Sequence, residues 1–535
     1  MKTQLLNITR ALTLICLTLF VQRSVAQNGL DPDFGQDGTV LTSFGTSEVG
    51  IRAIIQLSDN KLLAVGEAYS SNAESALLAR YLVDGTLDAS FGTEGSVTFM
   101  VNGSETYLDN AIVDASGKIY VVGEVQTGSN GYSGAVIRLT SNGDLDTSFG
   151  SNGSVLTTFG TALDAVVTDI AVQPDGQIVV SGVVDDNSDP VYDELADFAL
   201  ARYNTDGTLD TSFGNAGYVI TTFNANHYDA LLSILLLPDG KIVASGFSFT
   251  EDPNTFEDSS DVVAARYNAD GSLDTSFGND GKVIINVGDF DYIEGMALQS
   301  DGKILLCGDT TIISQEIDDS LIVRLNADGS LDTSFSNDGV VITPFLNSAE
   351  NFSSAHTVIA NADGSILAVG GAFDNEGNEY YNTIAKYNAN GTLDTSFRDD
   401  GKFEFQNNEA ETYDAIVTNA GKLLLAGSKF VYDGTDGTSY FYISQFLLSN
   451  TLGIDDFTLN PVSIYPNPVA TSLNISFETA TNTRVELYDT LGKVVATLHI
   501  NTKNNSMDLT NLSAGIYYLQ VFQNGQTFTE KIIKN

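Results

Sequence analysis

Short apolar, β-branched runs alternate with turn residues along most of the chain, and no helical period interrupts them. Residues 164–223 show the unit clearly. Val166, Val167, Ile170 and Val172 mark a first strand, and Pro174-Asp175-Gly176 a tight turn in which Gly supplies a positive φ. Ile178 to Val184 is a second strand, closing a hairpin with the first. After a variable acidic loop, Phe198 to Tyr203 alternates as a third strand. The turn Thr205-Asp206-Gly207 and the stretch Leu209-Asp210-Thr211-Ser212-Phe213-Gly214 then lead into a fourth strand, Tyr218 to Phe223.

That six-residue stretch recurs seven times, beginning at Leu30, Leu87, Leu145, Leu209, Leu273, Leu331 and Leu393, with spacings of 57, 58, 64, 64, 58 and 62 residues. The hairpin turn also recurs seven times, at Asp59-Asn60, Ser116-Gly117, Asp175-Gly176, Asp239-Gly240, Asp301-Gly302, Asp363-Gly364 and Ala420-Gly421. A four-stranded sheet of about sixty residues cannot bury both faces alone, but sheets stacked radially can, and stacking protects their edges. The expectation is an all-β chain: a seven-bladed β-propeller over residues 27–450, then a small C-terminal β-sandwich. A linear β-solenoid is the alternative, although its coils are usually shorter. The propeller segment opens with a spare strand, Gly38 to Phe44, and its last repeat ends at the third strand, Phe441 to Leu448. Pairing these two would close the ring.

Three patterns recur in fixed order: Leu-Asp-x-Ser-Phe-Gly, Asp-Gly-Lys-Ile and Ala-Arg-Tyr-Asn-x-Asp-Gly. With them the chain resembles the delta-60 repeat family of secreted bacterial β-propellers over roughly residues 28–450. The resemblance implies a fold and no particular activity.

Charge narrows the partners. Lys+Arg number 24 and Asp+Glu 69, a net charge of −45, and residues 27–461 alone carry −48. Such a surface repels nucleic acid and anionic membranes, and accepts cations or cation-bridged partners. Residues 1–26 read as a signal peptide: Lys2 and Arg10, an apolar run from Ala11 to Val21 too short to span a bilayer, and a small-residue cleavage pattern at Ser24-Val25-Ala26. No later stretch is apolar enough for a transmembrane segment. Cys16 falls in the leader. Cys307 is a small core residue in a strand where other copies carry Val65, Val122, Ser181 or Ala426.

Residues repeated in every unit are expected to serve the unit. Third strands carry Arg80, Arg138, Arg202, Arg266, Arg324 and Lys386, with Gln445 in the seventh. The punctuation carries Asp88, Asp146, Asp210, Asp274, Asp332, Asp394 and Asp31. Arg–Asp pairs within each blade follow, because the planar guanidinium can hold a carboxylate and also donate to backbone carbonyls.

Variable loops on a rigid scaffold are where recognition is sought. The long loops of the third and fourth repeats hold Asp185, Asp186, Asp189 and Asp193, and Glu251, Asp252, Glu257 and Asp258, with no Lys or Arg. These are candidate ligands for Ca²⁺, against the plainer reading of a solvated acidic rim. No other cofactor is implied. The loops entering the innermost strands hold Tyr107, Tyr228, Phe290, Tyr292, Phe352 and Tyr413, either a sugar-stacking rim or a plug of the ring. The histidines are His227, His356 and His499, and neither His-Glu-x-x-His nor Gly-x-Ser-x-Gly occurs, so no catalytic residue is assigned. The expected function is an extracellular or cell-surface binding scaffold for a glycan or protein, with Ca²⁺-dependent adhesion as one form. A secreted polysaccharide-active hydrolase or lyase is the alternative.

After a linker over residues 451–461, residues 462–535 alternate in new runs: Leu473 to Phe477, Arg484 to Tyr488, Val494 to Ile500, Ile516 to Phe522 and Phe528 to Ile533. The unit opens with Tyr465-Pro466-Asn467-Pro468, continues through Asp489, Gly492 and Lys493, then Gly515 and Tyr517, and ends with Lys531-Ile532-Ile533-Lys534. These motifs resemble the type A C-terminal sorting domain of the Bacteroidota type IX secretion system. The resemblance implies passage through the periplasm, contact with the secretion machinery, and delivery to the outer-membrane surface or medium, released or attached to lipopolysaccharide.

Overall fold

A computed structural model describes residues 29–448 apart from 46–47, 71–72, 128–130, 158, 160–163, 186–195, 225–227, 252–257, 316, 347–351, 376–378, 399, 407–409 and 433–436, and residues 462–535 apart from 478–482, 490–492, 501, 503 and 524–525. The chain divides into two compact units between Asn450 and Thr451.

In the first unit the described strands pair antiparallel in fours to give seven blades, and the single parallel pairs of Ser133 with Ala165 and Ser260 with Phe290 join blades 2 with 3 and 4 with 5 into eight-stranded sheets. Their inner strands are Glu48–Gln56, Thr106–Val113, Asp164–Val172, Asp229–Leu236, Phe290–Leu298, Phe352–Ala360 and Ala410–Val417. Each of these neighbours the next, and Ala410–Val417 neighbours Glu48–Gln56, so the succession is cyclic. The outer strand of blade 7 is Thr39–Thr42 from the opposite end of the unit, antiparallel to Gly437–Leu447 with Val40 opposite Ile443. Leu30 bridges Phe446 just beyond. The ring is therefore closed by the leading strand, and blade 7 is the one assembled from both ends.

Apolar clusters lie between neighbouring blades. One joins Ile51, Ile54 and Leu77 of blade 1 to Leu424, Phe441 and Ile443 of blade 7 across the closing seam. The recurring hexapeptide explains itself here. Asp88 accepts the backbone N–H of Ser90 at 3.1 Å and its hydroxyl at 2.6 Å, making a tight turn. That turn drives Phe91, fully buried, into the gap between blades 1 and 2. Phe34, Phe149, Phe213, Phe277 and Phe335 are buried to the same degree. Burial of each such ring contributes about 1.5–3 kcal/mol.

All seven inner strands carry a β-bulge at the same place. The inserted residues are Arg52, Asp109, Thr168, Leu232, Glu294, His356 and Tyr413, one per blade. Opposite each bulge the second strand places a glycine: Gly66, Gly123, Gly182, Gly246, Gly308, Gly370 or Gly427. The backbones approach so closely that a Cβ built on Gly246 would lie 1.9 Å from the Ala230 carbonyl oxygen.

The second unit packs a three-stranded sheet (Val462–Tyr465, Ser472–Phe477, Asn504–Asp508) against a four-stranded one (Thr483–Tyr488, Val494–Ile500, Gly515–Gln523, Gln526–Lys534). Leu473, Ile475 and Met507 of one sheet join Val485, Leu487, Leu519, Val521 and Ile532 of the other in a single core. Val462–Tyr465 and Asn504–Asp508 are additional to the strands read from the apolar alternation. The second carries only Met507 as an apolar residue, so the pattern does not reveal it.

Candidate ligand-binding site

Bulging turns one side chain of every inner strand toward the axis. The seven inserted residues line a single axial cavity of about 370 Å³. The residues that follow them tie neighbouring blades together. Asp169 of blade 3 accepts the Ile234 N–H of blade 4 at 2.8 Å and Asn110 Nδ2 of blade 2 at 2.7 Å. Asp414 of blade 7 accepts the Ile54 N–H of blade 1, also at 2.8 Å. Burial pushes both carboxyls up to about 6, against these hydrogen bonds. Burial, then the charge of Glu124, pushes Asp109 up to about 7 against the pull of Arg52.

A wider cavity, about 830 Å³, opens on the rim where blades 6, 7 and 1 meet. Blade 1 supplies Glu48 and Arg52 from its inner strand, Glu67 and Tyr69 from its second, and Glu74 from its third. Blade 7 supplies Glu411, Tyr413, Ser428, Phe430 and Ser439, and blade 6 supplies Glu379 and Tyr380. Strand register sets the grouping, since Tyr69 stands opposite both Glu48 and Glu74. Arg52 Nη2 donates to Glu67 Oε1 at 2.6 Å, and its guanidinium lies 5.0 Å from the centre of the Tyr413 ring. The Tyr413 hydroxyl donates to Glu411 Oε2. Burial pushes Tyr413 up to about 12, so the phenol is neutral. Tyr380 and Phe430 are 51% and 44% exposed, the Tyr380 ring lying 4.7 Å from that of Phe373. A smaller cavity of about 160 Å³ shares Tyr380, Glu411 and Tyr413 with it and adds Phe352 and His356.

The aromatic residues considered as a rim fall into separate groups. Tyr413 and Phe352 reach these two cavities. Tyr107 packs on Tyr132 with ring centres 5.5 Å apart. Tyr228 and Tyr292 join Phe247 and Phe249 in a cluster between blades 4 and 5, with Phe247 and Tyr292 at 4.8 Å. Tyr69, Tyr380 and Phe430 were not legible as site residues, because each stands at the end of an ordinary strand. Of the acids considered for Ca²⁺, Asp186, Asp189, Asp193, Asp252 and Glu257 lie outside the described residues, as do the side chains of Asp185, Glu251 and Asp258.

The repeated cations sit away from both cavities. Arg80 Nε lies 2.8 Å from Asp88 Oδ2, Arg138 Nε 2.9 Å from Asp146, Arg202 Nε 2.8 Å from Asp210, Arg266 Nε 2.7 Å from Asp274 and Arg324 Nε 2.8 Å from Asp332. Lys386 Nζ lies 2.9 Å from Asp394. Each guanidinium also covers the buried Phe, as Arg324 does over Phe335 at 4.2 Å. Each also donates to a turn carbonyl of the following blade, as Arg80 does to Ser141 at 2.9 Å. The hairpin lysines converge on the same carboxylates, with Lys241 Nζ 2.8 Å from Asp274. In blade 7, where Gln445 replaces Arg, Lys422 pairs with Asp31.

In the second unit, Asn467 clasps the last strand: its Nδ2 donates to the Lys531 carbonyl at 2.7 Å and its Oδ1 accepts the Ile533 N–H at 2.9 Å. Tyr465 is exposed beside it, and Tyr517 donates to the Ser513 carbonyl at 2.9 Å. Lys493 N–H donates to Asp489 Oδ1 at 3.0 Å, closing the midway turn, and Gly515 stands opposite Lys534. Gly492 lies outside the described residues.

These elements define a closed β-propeller followed by a β-sandwich module. Residues 57–91, 115–149, 173–213, 237–277, 299–335 and 361–397 match the family described as a domain of unknown function (DUF5122) beta-propeller, and residues 463–535 match the secretion system C-terminal sorting domain. The chain thus carries a DUF5122 β-propeller repeat region and a type IX secretion sorting domain, which marks it as cargo of that machinery for the cell surface or extracellular space. Each propeller match runs from a hairpin turn to the punctuating Phe. The seventh such unit is divided between Thr418–Phe446 and Leu30–Phe34, at opposite ends of the ring's sequence.

None of the curated proteins matches the chain. Among solved structures, PorZ of Porphyromonas gingivalis, an essential bacterial surface component of the type IX secretion system, is 11% identical with a TM-score of 0.40, over 92% of this chain and 60% of its own length. An α-L-arabinofuranosidase of Fusarium graminearum is 10% identical with a TM-score of 0.34, over 75% of this chain and 98% of its own. An acylaminoacyl peptidase of Pyrococcus horikoshii is 12% identical with a TM-score of 0.37, over 82% and 60%.

Proposed function

We propose that this chain is an exported binding scaffold whose propeller holds a glycan over the rim cavity where blades 6, 7 and 1 meet. The observation that supports this most is the joint presence of four aromatic rings and several carboxylates in one open cavity of about 830 Å³. Sugar C–H faces stack on rings, and sugar hydroxyls donate to carboxylates. In this reading residues 1–26 direct the chain to the periplasm. Residues 462–535 then carry it across the outer membrane, for release or attachment to lipopolysaccharide. Retention of the purified chain on an immobilised glycan panel, lost on Tyr380→Ala, is the expected result. No retention on any glycan would overturn the reading. Calcium enters it through the acidic loops near Asp185 and Asp258: a chelator is expected to weaken retention and added Ca²⁺ to restore it.

A second reading, a polysaccharide-active enzyme, is favoured by Asp109. Its carboxyl, held at about 7 beside Arg52, suits a general acid. Soluble fragments released from a retained polysaccharide, and their loss on Asp109→Asn, would select it.

A further inference from the structure

The rim cavity has a charge that a neutral sugar does not need. Five glutamates line it, and among the described lining residues Arg52 is the sole cation. That cation is already committed to Glu67, with Nε and Nη2 at 3.1 and 2.6 Å from one carboxylate oxygen. The remaining glutamates come from three blades: Glu48 and Glu74 from blade 1, Glu379 from blade 6 and Glu411 from blade 7. Among the described residues, Glu74 Oε2 is buried and accepts no hydrogen bond. An acceptor so placed costs stability unless a donor reaches it. Burial, then the charges of Glu67 and Glu105, push this carboxyl up, so an incoming cation would relieve it. The cavity also opens on a unit whose residues 27–450 carry −46, a field that concentrates cations and repels anionic polymers. Tyr380 and Phe430 add partly exposed aromatic rings, which attract cations as well as sugar C–H groups.

We infer that the cavity is selective for amino sugars carrying a free ammonium group, such as glucosamine units of a de-acetylated polysaccharide. The inference rests on the glycan reading above and adds the charge of the ligand. The ammonium nitrogen donates to the lining glutamates, the pyranose face covers Tyr380, and Arg52 is neutralised by Glu67 and does not repel it. Acetylation removes both the charge and two of the donors, so it removes the preference.

Isothermal titration at mildly acidic pH tests this with three probes: a glucosamine hexamer, an N-acetylglucosamine hexamer and hexalysine. The glucosamine hexamer is expected to bind about tenfold or more tighter than either of the others, and to weaken about tenfold when salt is raised to about 0.5 M. Glu379→Gln should erase most of that preference. Tyr380→Ala should weaken both sugars, with an unchanged melting temperature showing that the variant is folded. Equal affinity for the acetylated hexamer would overturn the inference and leave the glycan reading standing. Hexalysine binding as tightly would overturn it by showing that charge alone is read. Binding unchanged in both variants would place the ligand elsewhere and overturn it. Binding of neither sugar would overturn this inference and the glycan reading together.

Discussion

Asp414 and Ile54 are 360 residues apart in sequence, yet the Asp414 carboxylate accepts the Ile54 N–H at 2.8 Å. This bond joins the inner strands of the last and first blades, and Asp414 lines the axial cavity. The leading strand latches the outside of the ring, and Asp414 holds the inside. Asp414→Ala is expected to cost about 1–3 kcal/mol, the penalty for stranding a buried N–H. Asp414→Asn keeps an acceptor and should cost less. Denaturant midpoints of the two variants check the order, and a larger loss for Asn would count against it.

Stability should peak near pH 4 and decline from there to about pH 7. Burial raises Asp169, Asp229 and Asp414 to about 6, and Asp109 and Asp309 to about 7. Groups raised in the fold contribute stability that is complete below the unfolded value near 3.9 and is lost as pH rises through 6 to 7. The punctuation carboxylates act in the opposite sense. Against burial, which opposes the shift, hydrogen bonds from Ser212 and Ser334 and the neighbouring arginines hold Asp210 and Asp332 down at about 2. Their contribution is in place above about pH 4 and is lost as pH falls toward 2. Melting temperatures across pH 2 to 8 should trace a dome, and a steady rise from pH 4 to 8 would contradict it.

Gly370 and Gly371 are adjacent and should respond oppositely to a methyl group. A Cβ on Gly370 would lie 1.9 Å from the Ser354 carbonyl oxygen, whereas on Gly371 the nearest atoms are at 3.7 Å. Gly370→Ala is expected to cost about 1–3 kcal/mol by overpacking, and Gly371→Ala to change stability little. Equal effects on the unfolding midpoint would remove the bulge as the cause.

Gln445 faces Asp31 at the position where five blades carry Arg. It borders a cavity of about 280 Å³ with Val83 and Lys422. Gln445→Arg is expected to pair with Asp31, reach the blade 1 turn and stabilise the ring by about 1–2 kcal/mol. A lower midpoint would mean that Lys422 already saturates that carboxylate.

Much of the propeller was legible from recurrence. The spacing of Leu-Asp-x-Ser-Phe-Gly marks the unit, and the spare strand before Glu48 marks the closure. The seven glycines from Gly66 to Gly427 also recur at a fixed place in the second strand, and they are the trace that the bulges leave in the sequence. The bulge residues themselves are hidden, because Arg52, Thr168, Leu232 and Tyr413 share no chemistry. They share only a backbone geometry, and geometry without a side-chain preference leaves no pattern.

What the amino-acid order determined alone is whatever depends on neighbours within one unit: strand, turn, hairpin, and an Arg eight residues before its Asp. Only the tertiary structure decided which ends of different blades meet. Tyr69, Tyr380, Tyr413 and Phe430 lie in three blades, and their meeting follows from ring closure. The physical reason is that the repeat interactions are local and nearly identical, while the cavity is made by residues that differ between blades and touch only once the circle is complete.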